Sequence, residues 1–328
     1  MKVAILGMGA VGRGLLEMAD QKDLGLVVTG IADSKSALMD KDGIHIDEVL
    51  EAKRVHGFCG DKSLSAVDIV NHADYDVLVE VTPTNATTGE PALTFIRSAL
   101  ERGKHVVTSN KGPIARKYSL LQSLAEKHGV SIRFEATVCG AIPVMHTLKQ
   151  GLAGNRVLAV FGVLNGTSNY ILTRMEAEGL TYEQALMEAR EMGYAEADPT
   201  YDVKGIDAAI KLVILSNTIW GLDTVLEDVE ITGIDCLTTD ALRLADDQNC
   251  TIRLIAQSIP SRGVLRVSPR ILPKTHPLVV EGTLNAVTIE TDMAGEITMI
   301  GKGAGSVETA SAIIGDLMFI RDHYAGRH

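Results

Sequence analysis

Asp207 and Lys211 stand four residues apart in a segment that is otherwise apolar nearly all round, with Ile206, Ala208, Ala209, Ile210, Leu212, Val213, Ile214 and Leu215 about them. At that spacing an acid and a base share one helix face. A helix apolar on every side is usually buried, and burying charges is costly unless they are paired or face a cleft. On a solvated helix the same spacing would be an ordinary ion pair contributing about 0.3–0.5 kcal/mol. The upstream run Gly193-Tyr194-Ala195-Glu196-Ala197-Asp198-Pro199-Thr200-Tyr201-Asp202 favours the cleft, because Glu196, Asp198 and Asp202 crowd into it. Clustered carboxylates can hold an ammonium group, and a lysine among apolar walls can have its pKa lowered toward useful values. Together these groups suit a substrate with an amine and an exchangeable hydroxyl proton. Asp202 is also placed to cap the helix by accepting from its first N–H groups.

A second constellation opens the chain. Gly7-Met8-Gly9-Ala10-Val11-Gly12 directly follows the apolar run Val3-Ala4-Ile5-Leu6 and leads into a helical pattern with Leu15, Leu16, Met18 and Ala19. In a dinucleotide site the three glycines serve the tight turn, close backbone approach to the pyrophosphate, and helix–strand packing. The helix N-terminus offers N–H groups and positive dipole to the phosphates. Asp33 ends a second apolar run, roughly 20 residues beyond the last glycine, where a carboxylate accepts from a ribose hydroxyl. Asp33 favours NAD, whereas Lys35 could pair with a 2′-phosphate, so NAD and NADP both stay open. Lys111 ends a later strand, where the nicotinamide would lie, and a tight turn of Asn110 and Gly112-Pro113 would fix it. Its plain alternative is a surface lysine.

These residues need a frame. Apolar runs at residues 3–6, 26–32, 77–81, 105–108 and 130–134 alternate with helical patterns at 91–102 and 118–128, which predicts parallel βαβ units. Ligands in such sheets collect beyond the carboxyl ends of the strands. Residues 34–60 read as a variable polar excursion with one helix near 46–53. Further on, a strand at 157–164 precedes helices near 170–178, 182–192 and 203–220. Strand-like runs at 251–259, 264–271, 286–291 and 295–300 then follow one another, and a loop at 301–305 leads to a helix at 307–321. The expected fold is α/β: a Rossmann-type doubly wound parallel sheet with a second α+β domain for catalysis and dimerisation. The first domain is expected at 1–134 plus 303–328, the second at 135–302.

The bulk numbers exclude several classes. With 328 residues, 46% hydrophobic and 22% charged, the chain has the composition of an ordinary globular protein and room for two domains. No apolar run approaches the roughly 18–20 residues of a membrane span, and no signal-peptide pattern precedes the glycine turn. A net charge of −11 argues against nucleic acid as a partner. Cys59, Cys139, Cys236 and Cys250 lack zinc spacing, and the nine histidines are scattered. The thiols read as reduced and the location as cytoplasmic.

The glycine motif, Glu80-Val81-Thr82-Pro83-Thr84, Ser109-Asn110-Lys111-Gly112-Pro113, Glu135-Ala136-Thr137-Val138, Leu164-Asn165-Gly166-Thr167-Ser168-Asn169-Tyr170 and the run 193–211 resemble homoserine dehydrogenase across nearly the whole chain. The resemblance implies reversible NAD(P)-dependent oxidation of L-homoserine to L-aspartate 4-semialdehyde, a step toward threonine, methionine and isoleucine. It implies that Lys211 exchanges the hydroxyl proton, that Asp207 orients that lysine or the substrate, and that Glu196 and Asp202 hold the α-amino group. Lys111 would lie beside the nicotinamide and the substrate. Cofactor contacts would come from Gly7, Gly9, Ala10, Val11, Gly12, Asp33, Thr82 and Lys111, with Gly303 and Gly305 from a C-terminal glycine loop. A monovalent cation, Na⁺ in some members, would sit near Glu135 on carbonyls of Val138, Gly140 and Ile142. The resemblance also implies a homodimer. Lys302 departs from the family's usual small residue or proline, and no regulatory ACT domain follows the last helix, so threonine feedback through one is not expected.

Two other readings stay open from the residues. An aspartate-semialdehyde dehydrogenase would need a nucleophilic cysteine, for which Cys139 is the candidate. A non-catalytic dinucleotide sensor would need no Asp207–Lys211 pair.

Overall fold

The structure, a computed structural model, describes residues 1–324; the last four residues of the expected first-domain span, 325–328, lie outside the described residues. The chain divides into two compact units, Met1–Gly140 with Gly305–His328, and Ala141–Ala304. The joins fall a few residues beyond the 134/135 and 302/303 of the sequence reading. Asp316, on the helix Ser306–Tyr324, accepts from Arg133 Nε at 2.7 Å and from the Glu135 backbone N–H at 2.8 Å. Those bonds keep the 3₁₀ turn Glu135–Thr137 with the first unit.

The first unit holds six strands: β1 (Lys2–Leu6), β2 (Val27–Ala32), β3 (Ala37–Met39), β4 (Val77–Glu80), β5 (His105–Thr108) and β6 (Ile132–Arg133). Their order is β3-β2-β1-β4-β5-β6. All neighbours are parallel except β3, which runs antiparallel to β2 at the edge. Strands β1, β4 and β5 are almost wholly buried, which is why they read as continuous apolar runs rather than alternating ones. Strand β3 lies inside the polar excursion and is too short to leave a pattern. The helix Ala66–His72 was also not anticipated, although Ser65 and Asp68 form a capping box that marks its start. Strand order reverses between β1 and β4, with Leu6 beside Glu80, so the crevice for a ligand lies past those two strand ends.

Glu80, the last residue of β4, is fully buried. Its Oε1 accepts from the Thr82 N–H at 2.9 Å and from the Thr82 hydroxyl. Its Oε2 accepts from Thr108 Oγ1 at 3.1 Å, and Asn110 also bonds to the carboxyl. Burial pushes its pKa up, against the hydrogen bonds that favour the ionised form. One carboxylate thus ties together the loops leaving β4 and β5.

The second unit holds β7 (Val157–Val163), β8 (Glu230–Ile231), β9 (Cys250–Ile259), β10 (Val264–Pro273), β11 (Leu284–Thr291) and β12 (Glu296–Lys302), in the order β12-β11-β7-β9-β10-β8. Neighbours are antiparallel except β10 with β8. Val160, Ala256, Leu254, Val267, Val287 and Ile289 are buried on one face. There the helix Ile206–Trp220 packs, with Ser216 Oγ 2.9 Å from Ser258 Oγ. On the other face Ile255, Ala286 and Thr288 are buried, the first two in a small core with Leu278 and Val280; Phe161, Gln257, Arg266, Ser268 and Thr298 are half-buried, and Arg270 and Ile300 are exposed.

Two helix starts differ from expectation. The single helix from 203 is instead a short one, Thr200–Val203, and a long one, Ile206–Trp220. Asp202 lies inside the short helix, and Gly205, at φ +80°, occupies the N-cap position of the long one. A Cβ at Gly205 would lie 3.2 Å from Val267 and 3.3 Å from Ile231, so the break also lets the chain approach the sheet. The second case is the helix expected from 118, which begins at Lys111, with Asn110 accepting from the Gly112 N–H at 3.2 Å and a kink at Lys117. Lys111 therefore stands in a helical first turn, where Pro113 is tolerated because the N–H it lacks would be unpaired anyway.

Replacing Glu80 by alanine should free both loops. Amide exchange at Thr82, Thr84 and residues 109–112 should quicken about tenfold, the scale of one or two lost buried hydrogen bonds. Unchanged protection there would show that the carboxylate does not hold them.

Candidate active site

Strand β7 delivers the centre of the second unit's polar cluster. Past its end, Lys211 Nζ donates to the Leu164 carbonyl at 2.6 Å and lies 2.8 Å from Asp207 Oδ2. The next residue, Asn165, caps the helix Gly166–Glu178 by accepting from the Ser168 N–H at 2.8 Å. Its Nδ2 donates to Asp202 Oδ1 at 2.7 Å and to Asp207 Oδ2 at 2.9 Å. Asp207 and Lys211 are only 8% and 7% exposed, which rules out the solvated ion pair. Within this cluster two carboxylates face one ammonium.

The other two upstream acids are exposed. Asp198 is exposed and turns back on Thr200, accepting from its N–H at 3.1 Å and its hydroxyl at 2.6 Å. Those bonds hold its carboxyl below the usual range. Glu196 is exposed on the loop before it. Of the three acids read together from the sequence, Asp202 is the one that bonds to the Asn165 amide beside Asp207.

In the first unit, the glycine turn follows β1 and precedes the helix Ala10–Gln21. Gly7 has φ +110°, and a Cβ on it would lie 2.5 Å from the Val81 carbonyl oxygen. A Cβ on Gly12 would lie 1.9 Å from the Gly7 oxygen. Both glycines are required by the protein's own backbone. Gly9 is different: a Cβ there meets nothing within 4 Å. That open position, at a helix start with no side-chain cap and with Ala10 and Val11 in the first turn, fits a pyrophosphate.

Asp33 follows β2 but is heavily engaged. Its Oδ1 accepts from the N–H groups of Lys35 at 2.7 Å and Ser36 at 2.8 Å, and its Oδ2 pairs with Lys53 Nζ at 2.5 Å. Burial alone would raise its pKa, yet Lys53 and these backbone bonds hold it below the ordinary value. A ribose hydroxyl would share an oxygen already in use. Thr82 is half-buried, its hydroxyl donating to Glu80. Gly303 has a packing reason, since a Cβ would lie 2.0 Å from the buried Asn285 side chain, and Gly305 a conformational one, at φ +135°.

Glu135 is buried in its 3₁₀ turn, Val138 and Ile142 are buried, and Gly140 has φ +52°. Among the described residues no group of three or more His, Cys, Asp or Glu comes together to hold a metal ion. Cys139 is fully buried, at φ +59°, which removes the accessible nucleophile a semialdehyde dehydrogenase needs. The sequence reading gave Asn165, Glu80 and Lys53 no role. A capping signal marks the first, at Asn165-Gly166-Thr167-Ser168, whereas Glu80 reaches Thr108 and Lys53 reaches Asp33 from distant segments.

Family models described as "Homoserine dehydrogenase, NAD binding domain" and "Homoserine dehydrogenase" match residues 7–135 and 143–318. A homoserine dehydrogenase of Methanocaldococcus jannaschii is 45% identical, over 98% of each chain. An NAD(+)-dependent homoserine dehydrogenase of Pseudomonas canavaninivorans is 37% identical over 97% of this chain and 96% of its own. A solved chain from Archaeoglobus fulgidus superposes with TM-score 0.92 at 48% identity, covering 98% of this chain and 99% of that one. The sensor reading and the cysteine-dependent one are not favoured by any of these. No helix among the described residues is long and apolar enough to cross a membrane. The chain belongs to the homoserine dehydrogenase family, as an NAD(P)-dependent oxidoreductase that interconverts L-homoserine and L-aspartate 4-semialdehyde.

Proposed function

We propose that Lys211 carries the proton of this reaction. The observation behind the reading is its burial with Nζ fixed between Asp207 and the Leu164 carbonyl. The bound dinucleotide supplies the hydride acceptor, or the donor in reverse. The chain's own residues manage position and proton. In the oxidative direction the neutral Lys211 amine takes the hydroxyl proton as the carbinol becomes a carbonyl; in reverse the ammonium returns it. Asp207 orients the lysine. Asp202, which shares the Asn165 amide with Asp207, and Glu196, on the exposed loop before it, hold the substrate α-ammonium. Lys111 assists by polarising or binding the substrate oxygen.

On the dinucleotide side, Gly7, Gly9, Ala10, Val11 and Gly12 would cradle the pyrophosphate. Thr82 and Asp33 would accept or share hydrogen bonds further along, and Gly303 and Gly305 would shape the C-terminal glycine loop. The Asp33–Lys53 pair leaves the ribose end close to charge balance, which suits NAD and tolerates NADP; kcat/KM with each cofactor decides the preference. The cation at Glu135, Val138, Gly140 and Ile142 is likewise a proposal, tested by turnover in sodium against choline chloride. We also propose a homodimer, built on the part of the second sheet's other face that carries the exposed Ile300, and a cytoplasmic location from the cysteine usage.

General acid–base catalysis typically contributes about 10²–10⁴-fold. Lys211→Met should therefore lower kcat by about that factor while dinucleotide affinity stays within about twofold of wild type. Near-normal turnover would remove the role given to Lys211. Glu196→Gln should chiefly raise the homoserine KM, since it deletes a contact already made in the ground state. For the assembly, Ile300→Glu places a charge at an exposed position of that sheet face and should shift light-scattering mass toward the monomer; an unchanged mass would locate the interface elsewhere.

A further inference from the structure

We propose that Asn165 is a positioning residue for proton transfer, fixing through Asp207 where the Lys211 ammonium sits. The inference rests on Lys211 as the proton carrier. Its starting point is a choice of residue. Asn, Asp and Ser are almost equally good helix N-caps, so capping the helix Gly166–Glu178 does not by itself select asparagine. What selects it lies on the other end of the amide.

The Ser168 N–H can only meet an acceptor, so the asparagine oxygen must face it. That orientation leaves the NH₂ group turned the other way. It meets Asp202 Oδ1 at 2.7 Å and Asp207 Oδ2 at 2.9 Å, both from the one nitrogen. Two carboxylates this close repel one another, and in a buried site one of them would tend to take up a proton. A two-donor amide between them satisfies both anions. Serine and aspartate could cap the helix but would offer no such pair of donors.

The bond to Asp207 is specific in a second way. The oxygen that accepts from Asn165 is the oxygen that pairs with Lys211. The preceding residue, Leu164, supplies the carbonyl that takes another Nζ proton. Two consecutive residues past the end of β7 therefore fix the lysine, one directly and one through its counter-ion. Because Asn165 also starts a helix, its backbone is held in place, and the amide has little freedom to drift.

The test uses the full chain with Asn165→Ser and Asn165→Asp, both cap-competent, beside Asn165→Ala and Lys211→Met. Dinucleotide affinity of the Ser and Asp variants should stay near wild type; each keeps the cap but leaves two carboxylates without their shared donor, so their thermal midpoints should fall while the fold is retained, and the Ala variant, which loses the cap as well, should fall further. In the oxidative direction kcat rises with pH as Lys211 becomes neutral. Asn165→Asp adds a carboxylate beside the ammonium and should move that rise up by about one pH unit or more. Asn165→Ser should lower kcat about tenfold, with a smaller move. Wild-type kcat and pH profile in both cap-competent variants would reduce Asn165 to a cap and overturn the proposal. Loss of fold in both, despite an intact cap, would assign the bridge to stability and overturn it as well. An active Lys211→Met would instead defeat the proton-carrier reading on which this rests; an inactive one beside an unshifted Asn165→Asp would defeat the positioning role alone.

Discussion

An ammonium inside an apolar helix is expensive, with an effective cost of several kcal/mol unless it is paired and hydrogen-bonded. Lys211 meets that condition through Asp207 on its own helix and the Leu164 carbonyl beyond the end of β7. Much of the second unit follows from it. The helix Ile206–Trp220 must lie against the sheet for the pair to be buried, and Gly205 provides the close approach that allows this. The carboxylates then need donors of their own, which Asn165 supplies. A proton-transfer group held this way gains a fixed position and limited access to water, both of which general acid–base chemistry needs.

The first unit solves a different problem with backbone rather than charge. Its parallel strands end together, and the groups that would face a phosphate are N–H donors at a helix start. Gly7 and Gly12 are dictated by the protein's own carbonyls, whereas Gly9 keeps a space that nothing in the protein fills. Glu80 is the costly element here, a buried carboxylate at a strand end. It is tolerated because its hydrogen bonds draw the loops after β4 and β5 to one point.

Legibility varied with the range of the interaction involved. The strands of the first sheet were readable because continuous apolar runs separated by helical periods have few other solutions, and Asp207 with Lys211 was readable from a spacing of four. The start of that helix was misjudged at Asp202, since a residue that can cap can equally accept from a distant amide, and sequence does not say which. Lys111 looked like a turn residue because Gly112-Pro113 follows it, yet proline is also at home in a helix's first turn. The acids of the 196–202 run read as one group, yet Asp198 spends one oxygen on Thr200 while Asp202 shares the Asn165 amide with Asp207, so neighbours along the chain keep different partners.

By itself the sequence determined the three features that depend on local period and spacing: the glycine turn after a first strand, the alternation of strand and helix, and an acid–lysine pair on an apolar helix. Only the tertiary structure decided which partners those groups keep. Asn165 reaches Asp202 and Asp207 from about forty positions away, Lys53 reaches Asp33 from a separate helix, and Glu80 gathers two loops. The physical reason is that helix and strand periods are written in neighbouring residues, whereas the bonding of a buried polar group is settled by whichever donor or acceptor the folded chain brings within about 3 Å.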